Sequence, residues 1–186
     1  MGRLIYRMNV SLDGFVSDPD GSVDWGLIDD ELHAWFNDEL RDEAAFIYGR
    51  RVYELMAASW PNATSDPTTT PVMLQFARIW NAKPKVVFSR TLRDVRWNSR
   101  LAVGDVGEEL ERIRREHDGD LEVAGPTLAA AFIRKDLVDE FRMVVHPVLL
   151  GGGTPFFPPL DRPMRLRPNG VREFPSGVVV RSYLRS

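Results

Sequence analysis

Apolar positions along the chain form short buried-looking runs that alternate with stretches of helical spacing. Arg3 to Val10 alternates weakly and is rich in strand formers, which predicts a first strand. Asp18-Pro19-Asp20-Gly21 is a turn signal. Asp29-Asp30-Glu31 then places acid at the start of a helix reaching Leu40, whose Leu32, Trp35, Phe36 and Leu40 keep helical spacing. Ala44 to Tyr48 predicts a buried strand and Arg50 to Ser59 the helix after it. Trp60 to Pro71 is a surface loop, longer than most connections and therefore a candidate for function. The pattern continues with a helix over Val72 to Asn81, a strand over Pro84 to Ser89 and a very short strand at Val95-Arg96-Trp97. A charged helix over Glu108 to Glu116, a strand over Leu121 to Ala124 and an alanine-rich helix over Thr127 to Lys135 follow. Val138 to Leu150 is the longest strand pattern. After a proline-rich corner from Thr154 to Pro163, Met164 to Phe174 and Val178 to Leu184 predict an antiparallel pair around Pro175-Ser176-Gly177.

Strand and helix alternating through the middle argue an α/β fold, a three-layer α-β-α arrangement on a mostly parallel sheet. Antiparallel strands are expected to close its C-terminal edge. No repeat, low-complexity tract or linker divides residues 1–186, so one domain is expected. Net charge is −3, which gives no reason to expect nucleic-acid binding and confines any anion site to a local concentration of arginine. Cysteine is absent, which excludes disulfides, thiol catalysis and Cys-ligated zinc. No stretch approaches the length of a membrane span. The N-terminus lacks the zones of a signal peptide, and a cytoplasmic location is expected.

Three strand-to-turn junctions carry candidate chemistry. Gly49-Arg50-Arg51 follows the Ala44–Tyr48 run. In open α/β sheets ligands collect beyond the carboxyl ends of strands, where helix amides are free and a glycine admits a phosphate. Arginine adds a planar donor fork; the same residues also fit a helix start with two solvated arginines. Ser89-Arg90-Thr91 repeats the arrangement after Val86-Val87-Phe88 and resembles a pocket for a ribose 2′-phosphate, or a plain polar turn. At Ala124-Gly125-Pro126-Thr127, Pro126 suits the first helical position and Gly125 permits close approach of a pyrophosphate. Gly151-Gly152-Gly153 is not a dinucleotide fingerprint, because Phe156 stands where a glycine is needed and no helix follows. A tight bend, or the close approach of a partner chain or ligand, fits it better.

Asp13 and Asp30 are the carboxylates to weigh as proton donors, although acid at a helix start is also simple capping. His33, His117 and His146 show no metal-ligand spacing, so no metal site is expected. His33 and His117 read as surface groups and His146 as a buried, satisfied imidazole. The Glu108–Asp118 run reads as a solvated helix face.

In their order, Ser11-Leu12-Asp13-Gly14-Phe15-Val16, Ile47 to Glu54, Lys85 to Leu92, Leu137-Val138-Asp139-Glu140 and Pro147 to Pro155 resemble one family across nearly the whole chain. It is the dihydrofolate-reductase-like superfamily, specifically the reductase domain of bifunctional riboflavin-synthesis enzymes and its stand-alone relatives. The resemblance implies an NADPH-dependent reductase of a pyrimidine- or pteridine-like heterocycle. Gly49, Arg50, Arg51, Ser89, Arg90, Gly125, Pro126, Thr127 and Leu128 would hold the cofactor. Asn9, Ser11 and Val16 would lie near the nicotinamide, with Ser11, Asp13 and Trp25 toward the substrate and Asp30 as the catalytic acid. It also implies a homodimer. Three departures matter. Val52 stands where dihydrofolate reductases place a threonine, Ala124 replaces the first of a glycine pair, and Pro126 removes an amide donor. Dihydrofolate reduction, or a non-catalytic nucleotide-binding module on the same fold, are the alternatives.

Overall fold

Side-chain caps start three of the helices in the computed structural model, which describes residues 2–186. The chain opens with β1 (Leu4–Ser11) and a short β2 (Phe15–Ser17). Helix α1 (Asp30–Asp42) is capped by Asp29, whose carboxylate accepts from the Leu32 amide at 2.8 Å. Strand β3 (Ala45–Gly49) runs directly into α2 (Arg50–Ser59). Thr70 caps α3 (Pro71–Ala82), and Pro71 takes the first helical position, where its missing N–H costs nothing. Then come β4 (Lys85–Phe88), β5 (Ser99–Leu101) and α4 (Val106–Glu116), the last capped by Asp105 through the Gly107 and Glu108 amides. Strand β6 (Leu121–Ala124) leads into α5 (Pro126–Arg134), and β7 (Glu140–His146) follows. Strands β8 (Thr154–Pro155), β9 (Leu166–Glu173) and β10 (Val179–Arg185) complete the chain.

Eight strands form one sheet in the order β5-β4-β3-β6-β1-β7-β10-β9, while β2 and β8 form a separate antiparallel pair. From β5 to β7 neighbouring strands are parallel; β10 and β9 are antiparallel at the C-terminal edge. The sheet's alternating residues feed two cores. Leu4, Tyr6, Ala45 and Ile47 pack against α4 and α5 through Leu110, Ile113, Phe132 and Ile133. On the other face Phe46 and Tyr48 pack against α2 and α3 through Tyr53, Phe76 and Trp80. Leu32 and Trp35 of α1 cover Val144 and Val180 on that same side. Burying one side chain such as Phe132 contributes about 2 kcal/mol. Among the described residues no helix is long and apolar enough to cross a membrane.

The α1 side also buries charge. Arg7 on β1 bonds Glu43, the residue that ends α1, and Glu122 on β6, with Nε to Glu122 at 2.7 Å. Burial and the neighbouring Glu122 push the Glu43 carboxyl upward, against the pull of Arg7.

Several boundaries differ from the sequence expectation. Val95-Arg96-Trp97 is not a strand. Trp97 and Asn98 hold positive φ of 63° and 53°, and the strand forms only afterwards, at Ser99–Leu101. Arg96 is tied instead to α2, its amide donating to the Tyr53 hydroxyl at 2.8 Å. The Val138–Leu150 pattern yields only the Glu140–His146 strand, since Pro147 has no N–H to extend the ladder. The 60–71 loop contains a short 3-10 turn at Ala63–Ser65, and its last residue already belongs to α3.

Candidate active site

Strands β3 and β6 are hydrogen-bonded neighbours, with Tyr48 opposite Ala124, yet their chains leave the sheet on opposite faces. Helix α2 follows β3 onto the Phe46–Tyr48 side and α5 follows β6 onto the other. A crevice therefore opens at the carboxyl ends of the parallel strands, the place where such sheets bind ligands. Gly49 and Gly125 sit at its mouth as the residues preceding the two helices. A β-carbon on Gly49 would lie 3.5 Å from Leu128 Cβ, and one on Gly125 would lie 3.0 Å from Val52 Cγ2. The two helix starts thus abut across the crevice.

Their caps set them apart. Helices α1, α3 and α4 each begin with a side chain bonded to an N-terminal amide; α2 and α5, preceded by glycine, have none. The first amides of α2 and those of Thr127 and Leu128 therefore face the crevice rim without a side-chain partner. Pro126 contributes no N–H, and the Gly125 amide is directed to Met8 Sδ at 3.3 Å. Arg50 is tied to Glu54 at 2.9 Å, whereas Arg51 and Arg90 are exposed and form no ion pair among the described residues.

Ser89-Arg90-Thr91 leaves the end of β4, the strand next to β3, so all three turns share one rim. The Ser89 oxygen accepts from the Leu92 amide at 2.9 Å and the Thr91 amide at 3.2 Å. Its turn is thereby self-supported, with the Thr91 hydroxyl a further partner at 3.4 Å.

The segment after β1 is zipped to the segment after β7. Leu12 N–H donates to Val148 O at 2.8 Å and Phe156 N–H to Gly14 O at 2.9 Å. Asp13 Oδ1 accepts from the Ser11 hydroxyl at 2.6 Å and the Leu150 amide at 3.1 Å, and Oδ2 from the Gly151 amide at 2.7 Å. These bonds hold the Asp13 carboxyl below its ordinary range, the Ser11 hydroxyl foremost. The Ser11 oxygen also accepts from the Phe15 amide at 2.9 Å, so this pair holds the loop together. Val16 is buried in the core near Phe156, leaving only its backbone to meet a ligand. The triple glycine admits the chain's own β2 strand. A β-carbon on Gly153 would fall 1.9 Å from Ser17 O, and its φ is +121°.

Asn9 and His146 meet on the same rim, the Nε2 atom 3.0 Å from Asn9 Oδ1. His146 Nδ1 accepts from the Leu27 amide at 3.1 Å, and the Trp25 ring stands edge-on to the imidazole at 5.4 Å. Burial pushes His146 down to about 4, so the ring is neutral at neutral pH. It is the buried, satisfied imidazole expected, but it also ties the Trp25 loop to β1. Periodicity gives no sign of that tie, because residues 9, 27 and 146 meet only through the fold. Asp30 is exposed in the first turn of α1. One turn on, His33 is half-buried and set edge-on to Trp60 and Phe76, not a surface group. Burial lowers its pKa, with Asp30 opposing. Among the described residues no cluster of His, Asp and Glu could hold a metal ion.

Residues 3–180 match the RibD C-terminal domain family. The chain is 34% identical to the uncharacterized protein YyaP of Bacillus subtilis over 95% of its own length and 92% of that protein's. It is 26% identical to YwjB of the same bacterium, over 95% and 94%. Among solved structures it superposes with a TM-score of 0.78 on a candidate riboflavin biosynthesis protein of Shewanella sp. PV-4, at 21% identity over 99% of each chain. A Thermotoga maritima protein described as a deaminase and 5-amino-6-(5-phosphoribosylamino)uracil reductase superposes at 0.68 and 15% identity, over all of this chain and 57% of that one. At these identities the structures establish a shared fold, the dihydrofolate-reductase-like sheet with antiparallel edge strands. Taken with the match over residues 3–180, they show that the chain belongs to the RibD C-terminal domain family.

Proposed function

We propose that this chain is an NADPH-dependent reductase of a pyrimidine- or pteridine-like heterocycle. The observation that carries the reading is the pair of helix N-termini, α2 and α5, that lack side-chain caps and abut across the crevice. Free amides at a helix start favour an anion, and two of them together suit a pyrophosphate. Arg51 and Arg90, exposed without an ion pair among the described residues, suit further phosphate groups. From the end of β4 to the end of β7 the rim spans four strand spacings, about 19 Å, enough to lay an extended dinucleotide across.

The residues present therefore fit the cofactor. Bound there, NADPH would supply the hydride. The chain's part is to hold and orient: α2 and α5 amides on the pyrophosphate, Ser89 and Arg90 on the ribose phosphate, and Asn9 with the backbone at Val16 beside the nicotinamide. Trp25 and the first turn of α1, with Asp30, would flank the heterocycle and limit water. Proton donation by Asp30 belongs to this same reading.

Following NADPH oxidation by absorbance, with an aminopyrimidine, dihydrofolate or a pterin as acceptor, tests the proposal. Turnover with an aminopyrimidine or pterin supports it. NADPH binding without oxidation by any of the three would favour a non-catalytic module on the same fold.

A further inference from the structure

Which atom of Asn9 faces the crevice follows from the backbone amide of Leu27, eighteen residues away in sequence. The Leu27 N–H can only donate, and it points at His146 Nδ1 from 3.1 Å. That nitrogen must carry a lone pair, so the neutral ring bears its proton on Nε2. Nε2–H in turn needs an acceptor, and the atom 3.0 Å away must be the Asn9 carbonyl oxygen, not its amide nitrogen. The Asn9 NH2 group is left pointing elsewhere and donates to nothing among the described residues. Its position makes it available. Strand β1 pairs with β6 only as far as Tyr6 and Val123, so Asn9, three residues on, projects past the end of β6 at Ala124. Beyond that point β1 is flanked by β7 alone, and Asn9 overhangs the crevice on the α1 side.

We propose that His146 is a positioning residue that locks Asn9 with its NH2 group toward the crevice, making this a point that recognises a carbonyl oxygen of a bound ring. The Leu27 amide sets the tautomer, the tautomer sets the amide, and the amide sets the ligand chemistry. Gly26 packs beside the same ring: a β-carbon there would stand 3.5 Å from His146 Cε1. The ligand named rests on the reductase reading. The carbonyl is that of the nicotinamide carboxamide or of the substrate's own ring.

Side-chain nitrogen NMR of the unliganded protein tests the geometry without any ligand. It is expected to find His146 protonated at Nε2 alone throughout the neutral range; protonation at Nδ1 overturns the proposal. The ligand is tested by titrating NADPH, 2′,5′-ADP, which lacks the nicotinamide, and 5,6-diaminouracil in the presence of NADP⁺. Asn9→Asp turns a donor into an acceptor and is expected to weaken NADPH about tenfold while leaving 2′,5′-ADP unchanged. His146→Phe is expected to act in the same direction, whereas a merely structural role would not separate the two ligands. A loss seen with 5,6-diaminouracil and not with NADPH assigns the carbonyl to the substrate. Equal binding of all three ligands by wild type and Asn9→Asp overturns the proposal. Failure of the wild type to bind NADPH overturns the reductase reading and the ligand named here, while the tautomer still decides the His146–Asn9 geometry.

Discussion

Val52 and Gly125 meet across the crevice, the valine methyl lying 3.0 Å from where a β-carbon on the glycine would stand. Gly125 holds φ at +102°, a conformation that L side chains rarely adopt. Gly125→Ala is therefore strained twice, by its backbone and by Val52, and should cost about 2 kcal/mol of stability. Because the strain falls at the start of α5, NADPH affinity should drop as well. Chemical denaturation and a binding titration on the same variant check both.

A second pair of contacts holds the loop beside the site. Asp13→Ala removes the acceptor for the Leu150 and Gly151 amides and should lower the melting temperature. Gly153→Ala meets backbone at Ser17 O, which cannot move aside as a side chain can, and should cost about 3 kcal/mol. Thermal melts of the two variants should show Gly153→Ala as the more damaging. A Gly153→Ala protein as stable as wild type would contradict this packing.

Two buried groups shape the response to pH with opposite signs. The Glu43 carboxyl is raised from 4.5 to about 8, so the folded chain holds a proton that the unfolded chain has lost. Its contribution is full below 4.5 and disappears as pH rises toward about 8. His146 is lowered from 6.5 to about 4, so the unfolded chain binds the proton first. That contribution is full above 6.5 and is lost as pH falls toward about 4. The two windows overlap from 4.5 to 6.5, where the opposing slopes cancel, so their sum should be level there and fall on either side. Glu43→Gln should remove the fall above 6.5 and leave the His146 rise up to 6.5 unopposed, as urea unfolding at a series of pH values will show.

The homodimer is a further expected outcome. On the sheet face turned away from α1, Met143, Arg181 and Val171 lie in register across β7, β10 and β9, with Val171 64% exposed. A second copy on this face would cover the exposed Val171 side chain beside Arg181. Light scattering should return twice the mass of one chain, and Val171→Lys should shift it toward the single chain.

Much of this architecture is legible in the sequence because it is local. A buried run, a glycine and a helix follow one another at Ala44–Ser59 and at Leu121–Arg134, and each junction is read within about fifteen residues. Their sharing of one rim follows once the strands are parallel. What escaped depends on distant partners. Strands β2 and β8 are two or three residues long and exist only because Phe15–Ser17 meets Thr154–Pro155. Asp13 looks like a free acid in sequence, yet its oxygens are taken by amides 137 and 138 residues away. Val16 lies in a phrase that suggests a cofactor contact, while its side chain fills the core. His146 reads as an ordinary buried histidine until Leu27 and Asn9 are seen on either side of it.

The most direct measurement is a tryptophan-fluorescence titration of the folded protein with NADPH and with NADH. Saturable quenching by NADPH, tighter than by NADH and reduced toward the NADH value in Arg51→Ala or Arg90→Ala, is the predicted result. No quenching at millimolar NADPH, with the fold verified by circular dichroism, would contradict the assignment of the crevice between β3 and β6 as a cofactor site.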